Sequence, residues 1–363
     1  MKLAYLIKKL IGKLVIFVIL FSVVSCTKKE APITIDEPIY EITTVKENNI
    51  QIKKFENSSF NNIDLDTIKI GYSSPSLNAP YYKALLSCIQ ETAENSGMKF
   101  LFGNGEDDIR KQVTATEELI NQGIHILLLN PLDPKGLIET TKLAKEKNIP
   151  VFIVDSSIDE SAEYVTTIQC NNRKNGELVG AWLVQQMKDT EMNIALLSGA
   201  PGNPVGMDRT QGFLNGIAKE QLSTLGYIDL NIKTQAYTNW TYSGGQKAIE
   251  DILIRYPEIN VIAAESDVCV LGAMDSIRRE GKLNDILIVS IADGQKEALK
   301  YIKETEFYGA TGMNNPEVIG KKAIEYALEY LNGKRNFSKT MLTPELLITK
   351  SNVDEIYDPN SYF

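Results

Sequence analysis

The sequence predicts an α/β protein built as two doubly wound parallel-sheet lobes. Three observations predict it. From residue 67 onward, short apolar runs alternate with amphipathic runs of helical length, the spacing of successive strand–helix–strand units and so of a parallel sheet. The alternation pauses near residues 170–172 and then restarts, which divides it into two halves of similar size. The chain has 363 residues, more than one doubly wound sheet commonly holds before splitting.

The chain is organised around residues 68–88, IKIGYSSPSLNAPYYKALLSC. The alternating run 68–72 reads as a strand and is followed by a polar loop. Pro80 then opens a helix, where its missing N–H costs nothing. Tyr81 and Tyr82 fall in its first turn, two rings at the C-terminal end of a first strand, where ligands of parallel α/β sheets are held. Adjacent helical positions do not share one face, so both rings cannot serve the core alone. The alternative is that they only pack the helix start.

In the first half, strands are expected at 68–72, 99–102, 124–129, 151–155 and 164–168, and helices at 80–96, 108–121 and 134–147. Gly97 and Gly123 sit just past two of those helices, where a left-handed residue is wanted. In the second half, helices are expected at 174–188, 207–219, 241–255, 268–280, 295–304 and 316–332. Strands are expected at 192–197, 232–236, 261–264, 286–291 and 308–311, with an extended tail at 341–348.

The first 26 residues differ in kind. They carry Lys2, Lys8, Lys9 and Lys13, no acid, and an apolar core at 14–24 too short to span a bilayer comfortably. This describes an export signal. Its end, Val23-Val24-Ser25-Cys26, resembles the bacterial lipoprotein box, which implies cleavage before Cys26 and a lipid on its sulfur; the alternative is an uncleaved membrane anchor. Residues 27–66 read as a mostly extended linker, with short alternating runs at 40–45 and 49–55.

Losing the leader takes Lys plus Arg from 38 to 34 against 47 acids, a net charge of −13. With no basic stripe to offset it, that body is a poor partner for nucleic acid. Cys88, Cys170 and Cys269 remain, an odd number in apolar or helical surroundings, and read as small buried residues; one disulfide among them stays open. The single histidine, His125, sits in a strand-like run and reads as buried or at a sheet end. Without a second histidine, a Ser–His or Cys–His nucleophile lacks its base. No zinc spacing, phosphate loop or dinucleotide fingerprint is present, so no metal and no cofactor are expected. Acids are plentiful but nothing pairs two of them, which makes an enzyme the minority reading.

The informative residues follow the strands: Asp155-Ser156-Ser157, Ser198 to Asn203 with Arg209 on the next helix, Asn239-Trp240, Glu265-Ser266-Asp267, Asp293 and Asn314. Asp accepts from a hydroxyl, Arg donates, and Asn does both, a mixture suited to a polyhydroxylated ligand. Trp240, Tyr81 and Tyr82 offer flat faces to the C–H surface of a sugar ring. Asp and Asn also cap helices, but capping asks for neither Arg209 nor Trp240.

Over residues 67–351 the chain resembles the periplasmic sugar-binding proteins of ABC importers, type I fold, ribose-binding branch. The matching stretches are SPSLNAPYYKALL, LLLNPLDPKGL, IPVFIVDSS, MDRTQGF, ESDVCVLGAMDSI, VSIADG and TGMNNPEVIGKKA, in this order and spacing. The resemblance implies ligand-binding roles for Tyr81, Tyr82, Asp155, Arg209, Trp240, Ser266, Asp267, Asp293 and Asn314. It also implies a three-strand hinge, with crossings near Cys170, Asn314–Asn315 and Pro344. Residues 67–170 plus 315–344 would form one lobe and 171–314 plus 345–363 the other. Ala79 and Ser156 stand where ribose binders offer Asn and Arg, which puts ribose itself in doubt. The expected function is an extracytoplasmic, lipid-anchored, monomeric receptor that binds a pentose or hexose and delivers it to an ABC permease. A ligand sensor of the same fold is the alternative. The repressor relatives are disfavoured by the export signal and by the lack of a basic helix-turn-helix before residue 67.

Overall fold

The structure is a computed structural model that describes residues 63–363 apart from residue 189. The export signal, Cys26 and linker residues 27–62 lie outside the described residues. Residues 63–66, expected to close the linker, instead belong to the folded body: Leu65 is buried in a short 3-10 turn and Ile63 packs on the first core.

Two six-stranded sheets carry the fold. The first joins β1 (Lys69–Ser74), β2 (Lys99–Asn104), β3 (Ile126–Leu129), β4 (Val151–Val154), β5 (Thr166–Cys170) and β11 (Thr340–Thr343) in the order β11-β5-β4-β3-β1-β2. The second joins β6 (Ile194–Ser198), β7 (Ile232–Tyr237), β8 (Val261–Ala264), β9 (Leu287–Ser290), β10 (Tyr308–Gly312) and β12 (Leu347–Thr349) in the order β12-β10-β9-β8-β6-β7. Every pairing is parallel except β10 with β12. Both sheets are the doubly wound arrangement the sequence predicts.

Why these runs become strands is visible in their burial. β3, β4, β6 and β8 are buried at every position, as strands covered on both faces must be. Alternate residues feed opposite layers: Ile126 and Leu128 join one core, Leu127 and Leu129 the other. Ala195 with Leu197, and Ile194 with Leu196, divide likewise in the second sheet. The edge strands β2 and β7 are mostly half-exposed.

The helices are α1 (Pro80–Asn95), α2 (Ile109–Asn121), α3 (Ile138–Glu146), α4 (Asn172–Met187), α5 (Pro204–Leu225), α6 (Tyr242–Arg255), α7 (Asp267–Arg279), α8 (Lys296–Glu304), α9 (Pro316–Leu331) and α10 (Val353–Ile356). Gly97 and Gly123 take positive φ just past α1 and α2, as expected. α5 starts earlier and ends later than expected. Asn203 accepts from the N–H groups of Val205 and Gly206, Pro204 fills the first helical position, and left-handed Gly226 ends the helix. α4 and α5 touch backbone to backbone: a Cβ on Gly176, Gly180, Gly212 or Gly216 would lie 2.4 Å or less from the facing main chain.

The chain passes between the sheets three times: from β5 into α4, from β10 into α9, and from β11 into β12. α9 follows a strand of the second sheet, yet its Ile319, Ala323 and Ala327 share a core with Ile70 and Leu85 of the first. The expected tail 341–348 divides into β11 and β12 on different sheets, because Pro344 has no N–H for a ladder.

Candidate ligand-binding site

In each sheet the strand order reverses beside one strand, β1 in the first and β6 in the second. Loops that leave such a switch point in opposite directions open a crevice beyond the strand ends. A cavity of ≈ 580 Å³ occupies that position, lined from both sheets by residues after β1, β3 and β4 and after β6, β7 and β8. Tyr81, Tyr82, Asp155, Arg209, Trp240, Ser266, Asp293 and Asn314 all line it.

On the first-sheet side, Tyr81 is buried at the start of α1. Its hydroxyl donates to Asp155 Oδ1 at 2.7 Å and lies 3.2 Å from Asn314 Oδ1. Its ring meets Tyr82 edge-on, centroids 6.0 Å apart. Asp155 follows β4 with φ of 68°, a backbone setting that Asp tolerates better than most residues. Asn130, directly after β3, donates to its Oδ2 at 3.0 Å. Burial pushes the Asp155 carboxyl above its ordinary value; Tyr81, Arg209 and Asn130 offset part of that, and Asp293 adds to it.

On the second-sheet side, Arg209 is buried one turn into α5 and held on three sides. Nε donates to Asn172 Oδ1 at 2.8 Å, Nη1 to the Glu265 carbonyl at 2.7 Å, and Nη2 pairs with Asp293 Oδ1 at 2.8 Å. Burial works hardest against the guanidinium charge, but Asp293, Cys170, Asp155 and Tyr81 together outweigh it, so Arg209 stays protonated. Asp293 also accepts from Ser266 Oγ at 2.6 Å and from Asn314 Nδ2 at 3.2 Å. Trp240 has φ of 51° and packs so tightly on Gly199 that a Cβ there would lie 1.9 Å from the indole. Asn314, at the β10–α9 crossing, thus links Tyr81 to Asp293.

Asp267 is the correction. It does not line the cavity. It is fully buried and accepts from Tyr308 Oη (2.7 Å), Thr311 Oγ1 (2.8 Å), Ser290 Oγ, and the backbone N–H groups of Gly294 (2.7 Å) and Gln295 (2.6 Å). Those bonds fix the loop that presents Asp293, so Asp267 positions a wall residue rather than lining the cavity itself. Ser266 and Asp267 are adjacent at a strand–helix junction, yet only Ser266 lines the cavity.

Asn130 is a cavity residue the sequence reading did not single out, although it follows a strand as the others do. Phe363 also lines the cavity, and nothing near it in the sequence signals that. Its ring packs in the first core, whereas residues 345–363 were expected with the second lobe. His125 is exposed at the opposite, N-terminal end of β3, where Nδ1 accepts from the Lys69 N–H. Cys88, Cys170 and Cys269 are free and buried, and burial pushes their thiols to about 11, 12 and 12. Among the described residues no His, Cys, Asp and Glu group is arranged to hold a metal ion, and no helix is long and apolar enough to cross a membrane.

The carboxylates of Asp155 and Asp293, the carboxamides of Asn130 and Asn314, the tethered guanidinium of Arg209 and the rings of Tyr81, Tyr82, Trp240 and Phe363 stand around one void. Carboxylates accept from hydroxyls, the guanidinium and carboxamides donate, and the rings cover apolar faces. A family model described as "Periplasmic binding protein domain" matches residues 70–335. The chain belongs to the periplasmic binding protein family. Among relatives of this periplasmic binding protein, the ribose import binding protein of Bacillus subtilis (strain 168) is 32% identical over 281 residues, covering 77% of this chain and 87% of that one. The galactofuranose-binding protein of Escherichia coli (strain K12) is 27% identical over 246 residues, 66% of this chain and 75% of that one. Among solved structures, an ABC transporter solute-binding protein from Mycobacterium smegmatis with bound glycerol superposes with a TM-score of 0.74 at 28% identity. The match covers 81% of this chain and 98% of that one. A galactofuranose-binding protein gives 0.74 at 25% identity, with 82% and 100% covered.

Proposed function

We propose that this periplasmic binding protein is a receptor for one neutral monosaccharide, a pentose or hexose, which it holds between its lobes and delivers to an ABC import permease. The observation that carries the reading is the cavity itself. Tyr81, Asn130 and Asp155 face Arg209, Ser266, Asp293 and Trp240 across it, with Asn314 between. Ribose and galactofuranose binders among the relatives support the same ligand class. A receptor needs to bind and release, and no pair of these carboxylates is set out as acid and base, so we infer that it is not an enzyme.

The three crossings support a hinge near residues 170–172, 312–316 and 343–347, with closure of residues 63–170 plus 315–344 onto 171–314 plus 345–356. A closed pair of lobes, more than the sugar alone, then marks the loaded state for the permease. Periplasmic binding proteins work outside the cytoplasm. The lysine-rich leader and Val23-Val24-Ser25-Cys26 support export and a lipid on Cys26, with the body monomeric and tethered through residues 27–62.

A thermal-shift screen of pentoses, hexoses, inositols and nucleosides tests this. Ligand at a hundredfold over Kd adds about 2.7 kcal/mol of stability, so at least one pentose or hexose is expected to raise Tm by several degrees. Folded protein that no sugar stabilises contradicts the proposal.

A further inference from the structure

We propose that residues 357–363 form a strap joining the two lobes, and that Phe363 at its far end is a specificity-determining residue whose ring walls off the Tyr81 end of the cavity and limits ligand size. The inference rests on the monosaccharide reading and goes beyond it. The strap leaves the second lobe. β12 lies in the second sheet, and α10 packs beside α8, where Lys303 pairs with Asp354 at 2.6 Å and stands 5.6 Å over the Tyr357 ring. Lys296, the first residue of α8, donates to the Ser361 carbonyl at 2.6 Å. The strap then reaches the first lobe. Ser361 Oγ donates to Glu317 Oε1 on α9 at 3.3 Å, and Phe363 enters the core that holds Tyr72, Leu85 and Ile319.

Phe363 is 7% exposed, and its ring meets Tyr81 edge-on at 5.6 Å and 87°. It therefore borders the void and also buttresses the ring whose hydroxyl holds Asp155. A rigid apolar wall offers a hydroxymethyl group no hydrogen bond, so a sugar carrying that extra group toward Phe363 meets steric exclusion and an unpaired hydroxyl. Pentoses are favoured over the hexoses that extend them by that group.

The test compares affinities of wild type, Phe363→Ala and Phe363→Leu for the best pentose and for the hexose one hydroxymethyl longer, by calorimetric titration. Size discrimination in apolar pockets spans roughly 10–200-fold. The wild-type preference for the pentose is expected to shrink by about tenfold in Phe363→Ala and less in Phe363→Leu, with hexose affinity rising in absolute terms. Equal losses for both sugars, or an unchanged ratio in both variants, would overturn the proposal, because a purely structural Phe363 weakens every ligand alike. Phe363→Leu retains an apolar plug and decides the question if Phe363→Ala does not fold. A wild type that binds no sugar overturns the monosaccharide reading as well, a failure seen before any variant is made.

Discussion

Arg209 and Asp293 form an ion pair at 2.8 Å with side chains 4% and 8% exposed, on the wall of the cavity that their own lobe presents. Such a pair is costly to leave half-made. Removing one partner strands a buried charge, and broken buried pairs typically cost 3–5 kcal/mol, so Asp293→Ala and Arg209→Ala are each expected to lose about that much stability in urea titrations. Arg209→Met with Asp293→Leu should recover most of it while still failing to bind. Single variants as stable as wild type would show that the pair does not hold in solution.

Asp155 supplies a pH dependence with a definite sign. Its carboxyl sits above the ordinary value of 3.8 because burial disfavours the charge. Between the two values the folded protein keeps a proton that the unfolded chain has released. The contribution is therefore complete below the ordinary value and is lost as pH rises through the folded one. Wild-type stability minus that of Asp155→Asn should fall as pH is raised from about 4 toward neutrality. A difference that is flat or rises with pH contradicts this. The variant should also lose sugar affinity, since the ionised carboxylate is the stronger acceptor.

Asp267→Ala leaves two backbone N–H groups unpaired and takes the shared acceptor from the Tyr308, Thr311 and Ser290 hydroxyls, at a position that does not line the cavity. With each buried unsatisfied group costing about 1–3 kcal/mol, a loss of roughly 3 kcal/mol or more is expected. Affinity should drop through the displaced Asp293 loop, while the ranking of sugars stays that of wild type. A changed ranking would mean that Asp267 touches the ligand after all.

Trp240 and Trp182 are the two tryptophans of the chain, and only Trp240 lines the cavity. In a Trp182→Phe background, ligand should change the indole emission. Gly199→Ala places a Cβ 1.9 Å from that ring and must displace it. Its emission should already be altered without ligand, and affinity should fall about tenfold or more, the scale of losing one well-packed aromatic contact. Normal affinity with unaltered emission would remove Trp240 from the site.

Much of this was legible in the sequence because doubly wound sheets write their central strands as unbroken apolar runs and their site as the polar residues that follow. Eight of the nine residues expected at the ligand line the cavity. What stayed hidden depends on direction or on distance. Ser266 and Asp267 differ by one position, and only the packed α7 start shows which side chain faces the void. The α4–α5 contact rests on four glycines whose partners are some 30–40 residues apart, so no local pattern reveals it. Phe363 reaches Tyr81 across nearly the whole folded body, through a strap with no periodicity to read.

The proposed receptor holds one sugar between its lobes. A crystal structure with the best sugar from the screen tests it most directly. The expected result is a single ring bounded by Tyr81 and Trp240, with hydroxyls on Asp155, Arg209 and Asp293. A sugar bound elsewhere, or an empty cleft at saturating concentration, would contradict it.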